Sequence, residues 1–131
     1  MSILTDNTNG YSLTATTSGT NTALVSGGNS INASSGTFGS PVALSLSSWG
    51  YRVDGLGSFG AGPTTAQSNV SPSSTTFAGM PASNQTPITL ANTSSPADPA
   101  QITTVWYGVC ANLSSSNGTY STQVVYTAAT N

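Results

Sequence analysis

The chain has no lysine, no glutamate and no histidine. Its ionic side chains are Arg52, Asp6, Asp54 and Asp98, only 3% of 131 residues. These absences remove most routes to catalysis. Without His or Lys, a Ser-His-Asp triad, a Cys-His pair and a Ser-Lys dyad all lack their base. A single cysteine, Cys110, permits no internal disulfide and no thiolate zinc site. No phosphate-binding G-x-x-x-x-G-K-[ST] loop occurs. The Gly-rich stretch "GLGSFGAG" lacks the strand-then-helix context of a nucleotide loop and reads as a surface loop. Two aspartates could in principle form a glycosidase pair. The three lie far apart in turn-like sequence, where Asp is favoured anyway. The chain therefore reads as a non-enzyme, with no cofactor and no metal. "TDNTNG" offers oxygen ligands but not EF-hand spacing, so an Asx-turn is the expectation there.

The shortage of charge also restricts partners. No basic patch is present to neutralise phosphates, so nucleic acid is not an expected partner. Anionic membrane surfaces are not an expected partner for the same reason. No stretch approaches the roughly 20 apolar residues of a membrane span, so no direct membrane insertion is expected. No basic start followed by an apolar stretch marks a signal peptide, and the chain reads as a mature product or an excised domain. The formal net charge is -2. So small a charge removes the repulsion that keeps copies apart and favours self-association.

What is present is Ser and Thr, about a third of all positions, interleaved with short apolar runs. Pro and Gly interrupt most windows long enough for a helix. Strand patterns recur instead. Ile3 and Leu4 make a short apolar opening, and Asn9-Gly10 a turn. "YSLTAT" alternates, with Tyr11, Leu13 and Ala15 on one side. "TALV" follows, ended by Gly27-Gly28-Asn29. Val42, Leu44 and Leu46 share a face, then Trp49, Tyr51 and Val53, with Arg52 opposite. Residues 56–82 read as loop, with a short strand near 75–77 and Phe59 tucked into the core. "TPITLA" reads as a strand and "SSPADPA" as a turn segment.

The last third has the clearest pattern. "TTVWYGVCANL" alternates, and Asn117-Gly118 precedes the alternating "TYSTQVVYTAAT". Such a dipeptide between two strand patterns predicts a hairpin. Short strands at this spacing predict an all-β fold. We expect a single Ig-like β-sandwich over residues 1–131 with about seven to nine strands, a jelly roll being the alternative.

Three groups of residues are singled out. Arg52 and Asp54 stand two apart on one strand and point the same way, which predicts an exposed local ion pair. Six N-x-S/T sequons, at Asn32, Asn69, Asn84, Asn92, Asn112 and Asn117, are candidate glycosylation sites. Cys110 reads as a small buried hydrophobe, with a thiol bridge to another subunit as the sharper alternative.

"DNTNGYSLTATTSGTNTAL", "SSWGYRVDG" and "TTVWYGVCANLSSSNGTYSTQVVYTAATN" together resemble a known group. It comprises the Ser/Thr-rich extracellular β-sandwich domains in predicted surface proteins of Saccharibacteria-type candidate-phylum bacteria. The resemblance spans nearly the whole chain and is weaker over residues 56–100. It implies a secreted protein exposed at the cell surface and brings no catalytic residues. With it, the leading expectation is a structural subunit of a pilus-like filament or layer, whose partner is another copy of itself. Strand addition would join the copies, with Ile3 and Leu4 as candidate subunit contacts. The alternative is a surface adhesin or carbohydrate-binding module that stacks surface glycans on Trp49, Trp106 or tyrosines.

Overall fold

Alternation dictates the central strand. In β2 (Tyr11–Thr17) every odd position is buried and every even one half-buried. β-Branched and aromatic residues suit such a two-faced surface. The computed structural model describes residues 1–68, 75–112 and 114–131, and among these there is no helix. The remaining strands are β1 (Ser2–Thr5), β3 (Leu24–Ser26), β4 (Asn29–Ala33), β5 (Val42–Ala43), β6 (Ser48–Val53), β7 (Thr76–Phe77), β8 (Ile88–Asn92), β9 (Ala97–Ile102), β10 (Val105–Cys110) and β11 (Val124–Thr130).

They form an all-β, sandwich-like arrangement. One sheet has the order β10-β6-β4-β3 and the other the order β11-β2-β8. Two ribbons, β1-β9 and β5-β7, complete it. Tyr11, Leu13 and Ala15 of β2 meet Trp49, Tyr51 and Val53 of β6 in the core, with Ile31, Phe59, Met80 and Leu90 around them. Among the described residues there are eleven strands rather than about seven to nine, because several elements are pieces of only two or three residues.

β6 is buried along its whole length, on both faces. Its odd residues enter the sandwich. Its even residues are covered by β7, Ser34 and the Gly-rich loop that follows β6. Gly50 and Gly108 stand opposite each other in the β6–β10 ladder. A Cβ on Gly50 would lie 2.5 Å from the Ala78 carbonyl oxygen. One on Gly108 would lie 2.5 Å from the Phe77 ring. Gly50 thus faces fixed backbone and has no room for a side chain, whereas Gly108 faces a ring that can turn.

Four local expectations change. The Asn117-Gly118 hairpin is absent: β10 pairs with β6 and β11 with β2, so the connection crosses between the sheets. "SSPADPA" is not wholly a turn, since β9 begins at Ala97. Its Pro99 is tolerated because β9 is half of an edge ribbon, where a missing N–H costs no ladder bond. Val42, Leu44 and Leu46 do not share a buried face: the strand ends at Ala43, and only Leu44 is buried. Finally, the Arg52–Asp54 pair is not a surface pair, because Arg52 is 2% exposed.

Arg52 is buried by the loop it anchors. Its Nε donates to Asp54 Oδ1 at 2.8 Å. Nη1 donates to the Thr76 carbonyl at 3.2 Å, and Nη2 to the Phe59 carbonyl at 3.0 Å. Asp54 Oδ2 accepts the Trp106 indole N–H at 2.8 Å. The one cationic side chain thus pins the loop after β6 and the start of β7 onto the sheet.

Tyr51 is wholly buried, and its hydroxyl has no hydrogen-bond partner among the described residues. Burial pushes its phenol up from 10.0 to about 12. A raised folded value means that stability is full below the unfolded value and declines as pH rises through the folded one. Folding stability should therefore fall between pH 10 and about 12, by about 3 kcal/mol from this group. Tyr51→Phe should flatten that decline and raise stability near neutrality by about 1 kcal/mol. Urea unfolding followed across the alkaline range checks both effects. A variant with the wild-type alkaline slope would assign the decline to other groups.

Candidate functional site

The part of the fold least committed to the two main sheets is the β1-β9 ribbon. β1 pairs with β9 in antiparallel register, Ser2 with Ile102, Ile3 with Gln101 and Thr5 with Ala97, with a bulge between Ile3 and Thr5. The Met1 amine donates to the Thr103 carbonyl at 2.6 Å, and the Thr103 N–H returns a bond to Met1 at 2.8 Å. Strand side chains alternate between faces. Ile3 packs on the core, and Gln101 Oε1 accepts the Tyr11 hydroxyl at 3.2 Å. Leu4 and Ile102 point the other way and are 69% and 77% exposed. Of the two contact residues expected from the sequence, only Ile3 faces the body. Leu4 lies on the opposite, solvent-facing side of the ribbon.

Among the described residues the second edge of β1 pairs with no strand. Between it and the end of β11 lies an open cleft of about 330 Å³, lined by Ser2, Ile3, Leu4, Thr5, Tyr11 and Ala128 among others. The connection from β1 to β2 is held just beyond β1. Asn7 Nδ2 donates to the Gly10 carbonyl at 2.8 Å and to the Asn131 carbonyl at 3.2 Å. The Asn131 N–H donates to the Gly10 carbonyl at 3.2 Å. Asn131 Nδ2 donates to Asn92 Oδ1 and the Thr93 carbonyl. Across Asp6, the Asn7 N–H also donates back to Thr5 Oγ1 at 3.2 Å. The expected Asx-turn is present, but its acceptor is Asn7, whose Oδ1 takes the Asn9 N–H at 3.3 Å.

Neither indole presents a free face and a free N–H together. Trp49 is buried, and its N–H donates to the Thr22 carbonyl at 2.9 Å. Trp106 is half-buried with its N–H committed to Asp54. Tyr107 is partly exposed, and its hydroxyl bonds that of Tyr126 across the open side of the sandwich. Burial and this bond push the Tyr107 phenol up. Cys110 is a half-buried free thiol on edge strand β10. It borders a groove of about 570 Å³ that Leu44, Phe77 and Trp106 also line. Among the described residues no group of three or more His, Cys, Asp or Glu comes together.

The six sequons fare differently. Asn69 lies outside the described residues. Asn32 and Asn92 are exposed strand residues, Asn112 is half-buried, and Asn84 and Asn117 are exposed on loops. Comparison with known protein families, curated proteins and solved structures finds no match for this chain.

Proposed function

We infer that this protein is a non-enzymatic extracellular structural subunit that joins copies of itself by exchanging β1. The supporting observation is that β1 hydrogen-bonds in a ribbon of its own with β9, and among the described residues its other edge pairs with no strand. If the β1 of a neighbouring copy replaces it, every β1–β9 bond is remade with an identical one. Such a swap costs little intrinsic free energy, and concentration then drives assembly. The surface offers little resistance. Lysine, a usual guard of strand edges, is absent and inward charge is scarce, although β9 itself carries Asp98 and Pro99. A head-to-tail exchange that does not close on itself yields a filament. The extracellular, cell-surface setting rests on the Ser/Thr-rich resemblance described above.

A cross-linking experiment tests the reading. In a Cys110→Ala background, cysteines at Ser2 and Ile102 face each other across the ribbon. Oxidised at high concentration, an exchanging protein should give a ladder of covalent oligomers on a non-reducing gel and filaments by negative-stain microscopy. Deleting residues 1–5 should abolish both. A single monomer band with no assemblies at any concentration would rule strand exchange out.

A further inference from the structure

The sequence offers six sequons and gives no reason to prefer any; the fold separates them. At Asn32 the third residue is Ser34, which is buried. Its hydroxyl is taken by the Phe77 carbonyl and the Gly36 N–H. At Asn92 the side-chain oxygen accepts the Asn131 amide at 2.9 Å. At Asn112 it accepts the Ser114 N–H at 3.2 Å, and the residue is half-buried. Asn84 and Asn117 differ from these three. Both are exposed on loops, and so are their third residues Thr86 and Thr119. Their side chains make no hydrogen bond among the described residues.

These two also share a place. The Ser83 N–H donates to the Gly19 carbonyl, which sets Asn84 beside the segment that leaves β2. Gly118 lies against Ser26, and Ser121 bridges Val25, which sets Asn117 at the same end of the sandwich. Asn7, Gly10 and Asn131 are at the other end of β2. Seven strand residues separate the two ends by about 20 Å.

We propose that Asn84 and Asn117 accept N-linked oligosaccharides on the folded protein, at the pole opposite the β1-β9 ribbon. The donor is a lipid-diphosphate-linked oligosaccharide and the catalyst an oligosaccharyltransferase that acts after folding. The Asn Nδ2 attacks the anomeric carbon. A C–N bond forms as the bond from that carbon to the diphosphate oxygen breaks. The lipid diphosphate leaves with the electron pair, and the amide proton passes to a base of the transferase. Such an enzyme needs the side-chain oxygen and nitrogen of the Asn, and the hydroxyl at the third position, all free of other partners. Among the five described sequons, these two meet that condition. The proposal rests on the extracellular reading for its compartment. Glycans there would hydrate a surface that has almost no charge, and would leave the exchanging strand uncovered.

The test uses purified folded protein, a lipid-linked oligosaccharide and a transferase chosen because it modifies synthetic peptides of all six sequons. In an Asn69→Gln background, intact mass should rise by two oligosaccharides. Asn84→Gln and Asn117→Gln should each lose one, and the double variant both. Urea-unfolded protein should accept glycans at Asn32, Asn92 and Asn112 as well. Folded protein that stays unmodified, carries glycan at one of the two sites only, or carries it at Asn32, Asn92 or Asn112 would overturn the assignment. The cross-linked ladder reads assembly separately. Filaments of unmodified protein would sink the acceptor sites alone, and modified protein that never assembles would sink strand exchange alone.

Discussion

Asp54→Ala is expected to destabilise the fold by about 3 kcal/mol, a large share of the roughly 5–15 kcal/mol that holds a domain together. The reason is the partner left behind. The Arg52 guanidinium is 2% exposed, and Asp54 is the carboxylate it touches. Removing Asp54 leaves a buried cation with only carbonyl oxygens around it, and also deprives the Trp106 indole of its acceptor. Asp54 itself is partly exposed, so water can reach the gap and holds the cost to the low end of the range for buried pairs. Replacing the cation as well, in Arg52→Met with Asp54→Ala, should not restore stability. The carbonyls of Phe59 and Thr76 would then have lost their donor. Chemical denaturation of the two single variants and the double checks this. Full recovery in the double variant would mean that the charge pair alone accounts for the cost and that the loop is held by other contacts.

Gly50→Ala should be at least as damaging, at about 3 kcal/mol. One methyl group is added, but it meets fixed atoms. Its Cβ would approach the Ala78 carbonyl oxygen to 2.5 Å, the Phe77 Cβ to 3.0 Å and the Ser34 Cβ to 3.2 Å. The first is backbone and bonded in place, since Ala78 exchanges both of its main-chain hydrogen bonds with Tyr51. The chain cannot move aside without breaking the pairing of β6. Gly108→Ala is the instructive comparison. Its nearest neighbour would be the far end of the Phe77 ring, which can turn away, so its cost should be smaller. Thermal unfolding of the two variants side by side tests the contrast. Equal losses would show that the covering layer is rigid throughout.

The parts of the fold that were legible in sequence are those where one periodicity acts alone. The faces of β2 and the Trp49-Tyr51-Val53 stripe of β6 follow from side-chain alternation, and the sandwich class follows from strand spacing. β4 is hard to see because Ile31 is its one large apolar residue among Asn, Ser and Ala. The Asn117-Gly118 signal is a true local turn preference. It misleads because the chain after it crosses to the other sheet, a choice made by packing between distant strands rather than by the dipeptide. Arg52 looked exposed for a similar reason. What buries it is the return of residues 54–62, and main-chain carbonyls leave no mark in a sequence.

The candidate site divides the same way. An apolar opening strand was visible in Ile3 and Leu4, and so were the sequon motifs. Which strand receives β1, and which of Ile3 and Leu4 faces inward, depend on the β9 register. Which sequons are open depends on bonds from Asn131, Gly36 and Ser114, up to 39 positions away in the case of Asn131.

Placing the lone arginine within a strand buried on both faces has a consequence for proteolysis. Proteases that cut after basic residues have a single address in the chain, the bond between Arg52 and Val53. That bond lies in the middle of β6, under the loop its own side chain pins down. To such an enzyme the intact molecule offers no substrate, and digestion would proceed only as fast as the central strand comes free.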